Sequence, residues 1–434
     1  MLYDRWRQIA HANPNETAIH DTATGRRWSF QQLADEAERD GVADGPIVFP
    51  QGISGEFILA VLRAWQRGSV VCPLEIGQAA PMIANMPRGI VHLKMTSATT
   101  GLPQLVAFSA EQLAADAENI VTTMGLRAGW LNLGVISLAH SYGFSNLVLP
   151  LLLHGIPLIL VKAPLPEAVR QAAASAKHIT LPAVPAMWRA WHQADAIPPN
   201  TRLAISAGAP LPLALEQEVF TKCGLKIHNF YGASECGGIA YDRSSGPRTD
   251  AAFVGTPMHG VQLSVAEDGC LTVRSRAVAE SYLHRLDDRL QPGCFQTSDL
   301  AELVEGKVFL RGRANDQINV AGRKISPESI ERTLLKHPQV RECLVFGIPS
   351  RDSERTEEIV AVLVGSVKED VLRQFALESI PAWQLPRHWW FVEALQANPR
   401  GKVSRKEWQR KFLGRPCFPA PLHAEEQNAD DKHR

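Results

Sequence analysis

The sequence has no net charge, no paired cysteines and no apolar stretch long enough to cross a bilayer, and each absence narrows the possible functions. Lys plus Arg number 45 and Asp plus Glu number 45 in 434 residues. That balance gives no electrostatic footprint for nucleic acid or for an anionic membrane surface. The cysteines are Cys72, Cys223, Cys236, Cys270, Cys294, Cys343 and Cys417. They are odd in number and scattered, with no C-x-x-C. This argues against a disulfide framework or zinc site and for a reducing compartment. The most apolar stretch, 147–161, is interrupted by Pro150, His154, Gly155 and Pro157 and is too short to span a membrane. The first residues, Met-Leu-Tyr-Asp-Arg-Trp-Arg-Gln, lack the apolar core of a secretory signal. No G-x-x-x-x-G-K-[ST] occurs, which excludes a conventional P-loop NTPase, and the lack of H-E-x-x-H disfavours a zinc hydrolase. There are no internal repeats. The expectation is a cytoplasmic protein with no membrane span and no nucleic-acid partner.

What is present is an ordinary folding composition, 45% hydrophobic and 21% charged, over enough chain for two or three domains at about 150 residues each. The first 45 or so residues read as helix, short hairpin and helix, with Ser29 as N-cap of the second helix. Residues 57–67 have helical spacing and stop at Gly68, and 69–74 form a short buried strand. Short apolar runs then alternate with helical segments: 131–136, 157–161, 179–182, 203–206 and 226–229, with 145–154 helical. That alternation predicts parallel sheets covered by helices. After Phe253 the runs shorten and alternate (261–265, 270–273, 300–305, 307–311), as in antiparallel strands of a smaller sheet or barrel. Beyond Arg313 a compact α+β unit is expected. Its first helix starts with Ser326 as N-cap and Pro327 at the first helical position, with Ile330, Leu334 and Leu335 inward, followed by strands at 341–346 and 359–364 and a helix at 368–379. The tail, 415–434, is polar and reads as disordered. The fold class is therefore α/β: a large N-terminal domain (1–313) of parallel-rich αβα sheets with a small β-barrel-like subdomain, then a small mobile α+β domain (314–414).

Five segments carry candidate chemistry. Thr96-Ser-Ala-Thr-Thr-Gly-Leu-Pro-Gln104 follows an apolar run (89–93), precedes a helix, and packs four hydroxyls and a glycine into six residues. Such a loop presents hydroxyls and N–H groups to phosphate oxygens, or is simply a polar loop. Ser206-Ala-Gly-Ala-Pro210 follows a buried strand; its small residues let a flat ring approach the backbone, or merely turn the chain. Asn229-Phe-Tyr-Gly-Ala-Ser-Glu235 offers an aromatic for a base, a hydroxyl for a phosphate and a carboxylate for Mg²⁺, unless the Tyr is core. Thr297-Ser-Asp299 with 312–326, and Asn398-Pro-Arg-Gly-Lys402-Val-Ser-Arg405, complete the set.

In this order and spacing, over roughly residues 10–410, the five segments resemble the adenylate-forming superfamily of acyl-CoA and aryl-CoA synthetases, luciferases and peptide-synthetase adenylation domains. Its T-S-G-T-T-G-x-P-K stands here as Thr96 to Gln104. Its Y-G-x-T-E is Tyr231-Gly-Ala-Ser-Glu235, and its T-G-D is Thr297-Ser-Asp299. Its G-R-x-D-D-x-I-K-x-x-G-x-x-I is Gly312 to Ile325, and its C-terminal G-K is Gly401-Lys402. The resemblance implies two half-reactions. A carboxylate attacks the α-phosphate of Mg-ATP to give an acyl-adenylate and pyrophosphate. A thiol of CoA or of carrier-protein phosphopantetheine then displaces AMP.

The same resemblance implies roles. Thr96, Ser97, Thr99, Thr100 and Gly101 would wrap the β- and γ-phosphates. Gly208, Ala209 and Pro210 would flank one adenine face, and Tyr231 with Gly232 the other. Ser234 would contact the α-phosphate and Glu235 would hold Mg²⁺. Asp299 would accept the ribose hydroxyls, with Arg313 also at the ribose. Lys402 would bridge the reacting carboxylate and phosphate oxygens. Asn315 stands at the hinge about which the C-terminal domain rotates between half-reactions, and Ala321, Gly322 and Arg323 would line the thiol tunnel. His140, Phe144 and Ser206 lie where the acyl pocket is expected, with His140 either a gate or a core histidine. No Asp occurs in 139–145 to pair an α-ammonium, which disfavours an amino-acid substrate. Acyl and aryl acids both remain open.

Three departures from the family pattern stand out. Ala98 replaces a glycine and Gln104 a lysine, and the chain between Leu74 and Thr96 is shortened. The shortening raises the expectation of a bare or partner-covered face. Together these departures also keep open a non-catalytic nucleotide- or acyl-binding descendant of such an enzyme. Retention of Tyr231, Glu235, Asp299, Arg313 and Lys402 speaks for the enzyme.

Overall fold

The computed structural model describes residues 1–39, 45–83, 86–96, 104–283, 285, 287–350, 356–396 and 403–415. Its contacts divide the chain into two units, Met1–Thr297 with Ala301–Leu310, and Ser298–Leu300 with Arg311–Arg434.

The first unit opens as the periodicity predicts. Helix Leu2–Ala12 is followed by a hairpin of Thr17–Asp21 with Arg27–Ser29, then helix Phe30–Glu38. Ser29 Oγ accepts from the Gln32 N–H, and the Gln32 side chain accepts in return from the Ser29 N–H, a reciprocal cap that fixes where the helix begins. Helix Gly55–Arg67 starts at the Ser54 cap and ends at left-handed Gly68. The strand expected at 69–74 is only Val70–Val71, with one further bridge from Leu74 to Gln51.

The main sheet runs Thr17–Asp21, Leu158–Leu160, Leu131–Gly134, Ile179–Ala183, Thr201–Ser206, Ile227–Ala233, with every neighbouring pair parallel. Strands such as Ile179–Ala183 are buried along their whole length, because helices cover both faces of a parallel sheet. The antiparallel strands after Phe253 do not form a separate sheet. They continue the same hydrogen-bonded order through Gly237–Tyr241 and Phe253–Pro257. A second sheet holds Ile47–Val48, Val70–Val71 and Ile90–Met95 in parallel, then Leu105–Ser109 and Ser281–Tyr282 antiparallel.

The shortened segment before Thr96 does not leave its sheet bare. Val70, Cys72, Leu74, Ile90, Leu93, Leu105 and Ala107 form a buried cluster against which Ile83 and Met86, from that same segment, pack.

In the second unit, strands Val340–Pro349, Glu357–Gly365 and His388–Phe391 form one sheet. One face packs Val345, Ile359, Ala361 and Leu363 with helices Pro327–Leu334 and Glu369–Leu377. The other packs Leu344, Phe346, Val360 and Val362 against Trp408 and Phe412 of helix Arg405–Leu413. Two expectations fail locally. Leu335 is exposed, and the Ser326 hydroxyl donates to the Glu328 carboxylate rather than capping an N–H. Arg415, first residue of the predicted tail, has its guanidinium 4.8 Å from the Trp390 ring centroid; residues 416–434 lie outside the described residues.

Candidate active site

Strand Ile90–Met95 delivers Thr96, and Gln104 leads into strand Leu105–Ser109. Thr96 N–H donates to Gln104 O at 2.9 Å and Gln104 N–H to Thr96 Oγ1 at 3.1 Å, closing the base of the loop. Ser97, Ala98, Thr99, Thr100 and Gly101 lie outside the described residues. A strand, not a helix, follows this loop directly, because the buried run Leu105-Val-Ala-Phe108 pairs back on Ile90–Met95. The expected helix comes next, at Ala110–Met124, capped by Ser109.

Tyr231-Gly-Ala-Ser-Glu235 forms the end and tip of a hairpin between Ile227–Ala233 and Gly237–Tyr241. Gly232 is exposed, while Tyr231, Ser234 and Glu235 are half-buried. The Tyr282 hydroxyl donates to Glu235 Oε1 at 2.9 Å. Burial and the neighbouring Glu235 carboxylate hold the Tyr282 phenol well above its ordinary range, so it stays a donor. Tyr282 pairs with Val106 in the strand leaving the Thr96 loop, and the Glu235 carbonyl accepts from Ala279 N–H at 2.8 Å. The magnesium candidate is thus brought beside the phosphate-loop strand. Sequence reasoning passed over Tyr282; its role rests on a partner 47 residues away, and nothing local announces it.

Behind the hairpin tip, Asp116 Oδ1 accepts from Gly238 N–H at 3.3 Å. Its Oδ2 accepts from Lys94 Nζ at 3.4 Å and from Ser145 Oγ at 2.5 Å, all three side chains being buried. Gly237 sits at φ +69, and a side chain there would collide with Asp116. At the hairpin base, Lys226 pairs with Asp242 (2.7 Å) and with Glu216, which also holds Arg248 (2.8 Å). These four are all but sealed from solvent.

Ser206 ends the strand next to Ile227–Ala233, and its register partner is Asn229. Ser206 is fully buried, with no hydrogen-bond partner for its hydroxyl among the described residues. Gly208, at φ +83, and Pro210 are exposed and Ala209 is half-buried, so this turn and the Tyr231 hairpin leave adjacent carboxyl ends of parallel strands. That is where open α/β sheets hold ligands.

His140 caps the turn Ser141–Gly143, is about a third exposed, and has Nε2 3.0 Å from Glu75 Oε1, a carboxylate that the Ser137 hydroxyl also donates to. A side chain at Gly143 would strike the Ser137 carbonyl. The predicted helix begins as a π turn, Phe144–Val148, before Leu149–His154. Phe144 is fully buried, its ring 4.2 Å from that of His92.

In the second unit Arg313 Nε donates to Asp299 Oδ1 at 2.9 Å, so the two expected ribose ligands meet. Asn315 is exposed in the turn Ala314–Asp316. Ala321 (φ +51) and Gly322 (φ +79) join Ile318–Val320 to Arg323–Ile325, and the Arg323 guanidinium lies 4.9 Å from the Trp383 ring centroid. Gly401 and Lys402 lie outside the described residues. Arg405, just beyond, is clamped by Asp316 (3.2 Å), Glu328 (2.9 Å) and Glu331 (2.9 Å).

The profile of the AMP-binding enzyme family matches residues 53–283, and that of the AMP-binding enzyme C-terminal domain matches 329–402. The chain belongs to the AMP-binding enzyme family. This AMP-binding enzyme is 27% identical over 343 residues to a probable 2-succinylbenzoate–CoA ligase of Mycobacterium tuberculosis, covering 74% of this chain and 84% of that one. It is 28% identical over 346 residues to anthranilate–CoA ligase of Pseudomonas aeruginosa, covering 74% and 66%. The fold matches ATP-bound MatB from Rhodopseudomonas palustris with a TM-score of 0.82 at 19% identity, covering 95% and 99% of the two chains. It also matches o-succinylbenzoate CoA synthetase from Bacillus subtilis holding its acyl-adenylate, with a TM-score of 0.77 at 21% identity, covering 93% and 97%. No helix among the described residues is long and apolar enough to cross a membrane.

Proposed function

We propose that this AMP-forming acid–thiol ligase takes an aryl or short acyl acid, not an amino acid, and passes it to CoA, with carrier-bound phosphopantetheine the other acceptor to test. The observation that carries the reading is the placement of Glu235. Its carboxylate accepts from Tyr282, beside the strand that leaves the Thr96 loop, on a hairpin whose first strand neighbours the one that ends at Ser206. A carboxylate oxygen of the acid attacks the α-phosphorus and pyrophosphate leaves; a thiolate then attacks the acyl carbon and AMP leaves.

Thr96, Ser97, Thr99, Thr100 and Gly101 bind the phosphates by hydroxyl and N–H donation. Tyr231 and the 208–210 turn sandwich the adenine, and Ser234 donates to the α-phosphate. Asp299, oriented by Arg313, accepts the ribose hydroxyls. Lys402 neutralises the two approaching anions. Glu235 fits Mg²⁺ as a single half-buried carboxylate at a hairpin tip, because Mg²⁺ ordinarily takes one or two carboxylates plus substrate phosphates. Bound there, the ion supplies charge neutralisation on the phosphates. The 1–313 and 314–414 division fits a lid that turns about Asn315. The described cysteines are all free thiols, which supports a reducing, cytoplasmic setting.

The test is ATP–pyrophosphate exchange against short, medium and long fatty acids, benzoates, cinnamates and amino acids. Exchange with benzoates, cinnamates or short acids bears the reading out. Exchange with amino acids alone, or with none, overturns it.

A further inference from the structure

The helix that His140 caps carries polar groups from the surface into the core. Tyr142 stacks 5.8 Å from Phe230, the residue before Tyr231, and its hydroxyl donates to Ala183 O at 3.4 Å, where another parallel strand ends. One turn further, Asn146 is 2% exposed. Six residues separate it from His140, itself a third exposed, roughly 9 Å along the axis at an α-helical rise and less across the π turn. Asn146 Nδ2 donates to the Tyr142 carbonyl at 3.1 Å, and Asn132 Nδ2 donates to the Asn146 carbonyl at 3.2 Å. A carbonyl acceptor therefore pins each amide, and each Oδ1 is left facing elsewhere as a pure acceptor. Thr180 is the register partner of Asn132 on the neighbouring strand and shares its face. Among the described residues, Asn132 Oδ1, Asn146 Oδ1 and Thr180 Oγ1 are buried without a hydrogen-bond partner. Buried acceptors in a folded protein are ordinarily met by a donor. The nearby buried cation cannot reach out to them, because Lys94 is engaged by Asp116 and Ser145.

We propose that these three oxygens form the far end of the acyl pocket, and that the acid carries an uncharged hydrogen-bond donor, a hydroxyl or an amino group, at the end remote from its carboxylate. The proposal rests on the ligase reading above and narrows its substrate class. A second carboxylate would set its lone pairs against the two amide oxygens, with only the Thr180 hydroxyl able to donate and no cation to offset the charge. A long alkyl chain would leave the acceptors unmet and outrun the depth. A single substituted ring or a short ω-substituted chain satisfies both limits.

The experiment is pyrophosphate exchange with matched acids: 4-hydroxybenzoate, benzoate and terephthalate, and 6-hydroxyhexanoate, hexanoate and adipate. The unmodified enzyme, Asn146→Leu and the isosteric Thr180→Val are compared. In the unmodified enzyme the hydroxy acid of at least one set exceeds its plain analogue in kcat/KM by about tenfold or more, as a site built to bond a hydroxyl discriminates against its absence. That ratio falls toward one in both variants. Being a ratio within one preparation, it is insensitive to a partly unfolded sample, and Thr180→Val keeps the test alive if Asn146→Leu does not fold. Indifference to the hydroxyl, preference for the distal carboxylate, or a ratio unchanged in the variants overturns the proposal while leaving the ligase reading intact. Silence with every acid in this panel and in the wider one overturns both.

Discussion

In the proposed function Glu235 holds the metal, and the Tyr282 hydroxyl donates a hydrogen bond to its carboxylate. Removing it in Tyr282→Phe forfeits about 1 kcal/mol of carboxylate ordering, equivalent to roughly fivefold. The expected outcome is a several-fold higher Mg²⁺ concentration for half-maximal exchange, read from a Mg²⁺ titration at saturating ATP; an unchanged titration removes Glu235 from the metal. A second residue-level consequence concerns protons. Burial, with Arg5 adding to it, lowers the His154 imidazole to about 4, and Glu118 partly opposes the shift. The unfolded chain takes up that proton near 6.5. Between pH 6.5 and 4 the unfolded state therefore binds more protons, so stability falls as pH falls through this window and is fully retained above it. His154→Gln should flatten that slope in urea denaturation, and an equal slope would show that another group causes it. The phosphate, adenine and ribose candidates could be named from the sequence because five short segments stand in the order and spacing of the family they resemble, while each alone reads equally as a turn or polar loop. Tyr282, Lys94 and Asp116 were not, since each matters only through a partner far along the chain.

At the scale of elements, helices and parallel strands were readable wherever caps and apolar runs agreed, as at Ser29, Gly68 and Ile179–Ala183. The misses have local causes. Leu335 lies one residue past Leu334, so a 100° step carries it off the buried face marked by Ile330 and Leu334. The helix expected after the Thr96 loop is displaced by a strand because Leu105–Phe108 can be buried on both sides. The π turn at Phe144 had no sequence signal, and the Asn132 amide from a neighbouring strand donates to its Asn146 carbonyl. Three described non-glycine residues, Asp195 (φ +51), Glu305 (φ +49) and Ala321 (φ +51), are left-handed, and Ala321 is the one without a polar side chain to hydrogen-bond its own turn. An alanine there costs about 1–2 kcal/mol. Ala321→Gly recovers part of this, offset by roughly 0.5 kcal/mol of extra unfolded-state entropy. It should therefore stabilise the second unit by about 1 kcal/mol, seen as a higher denaturation midpoint; a lower midpoint would mean that the turn is unstrained.

For the whole molecule, the two-unit division and the two-step chemistry make one separable prediction. Lys402→Ala should abolish pyrophosphate exchange while leaving thiol transfer from preformed acyl-AMP largely intact. Equal loss of both steps would remove Lys402 from its adenylation role. The shortened segment before Thr96 shows how far the sequence could be read at this scale. The deletion was visible, but the cover provided by Ile83 and Met86 was not, because only the folded sheet shows which apolar cluster they meet.

The four-charge cluster at the root of the Tyr231 hairpin has a mechanical consequence. Lys226 and Asp242 bind the two strands together where they leave the core, with Glu216 and Arg248 locking the joint, while the tip at Ser234 and Glu235 is only half-covered. The root of the hairpin is locked by charge, while its tip is held by single hydrogen bonds, from Gly238 N–H to Asp116 and from Ala279 N–H to the Glu235 carbonyl. Deuterium uptake should be slowest at Asn229 and Asp242 and quickest at Ser234 and Glu235, and a uniform profile along both arms would contradict this. In the proposed function, a hairpin rooted in this way would let the carboxylate follow a phosphate by a small swing without the sheet beneath it giving way.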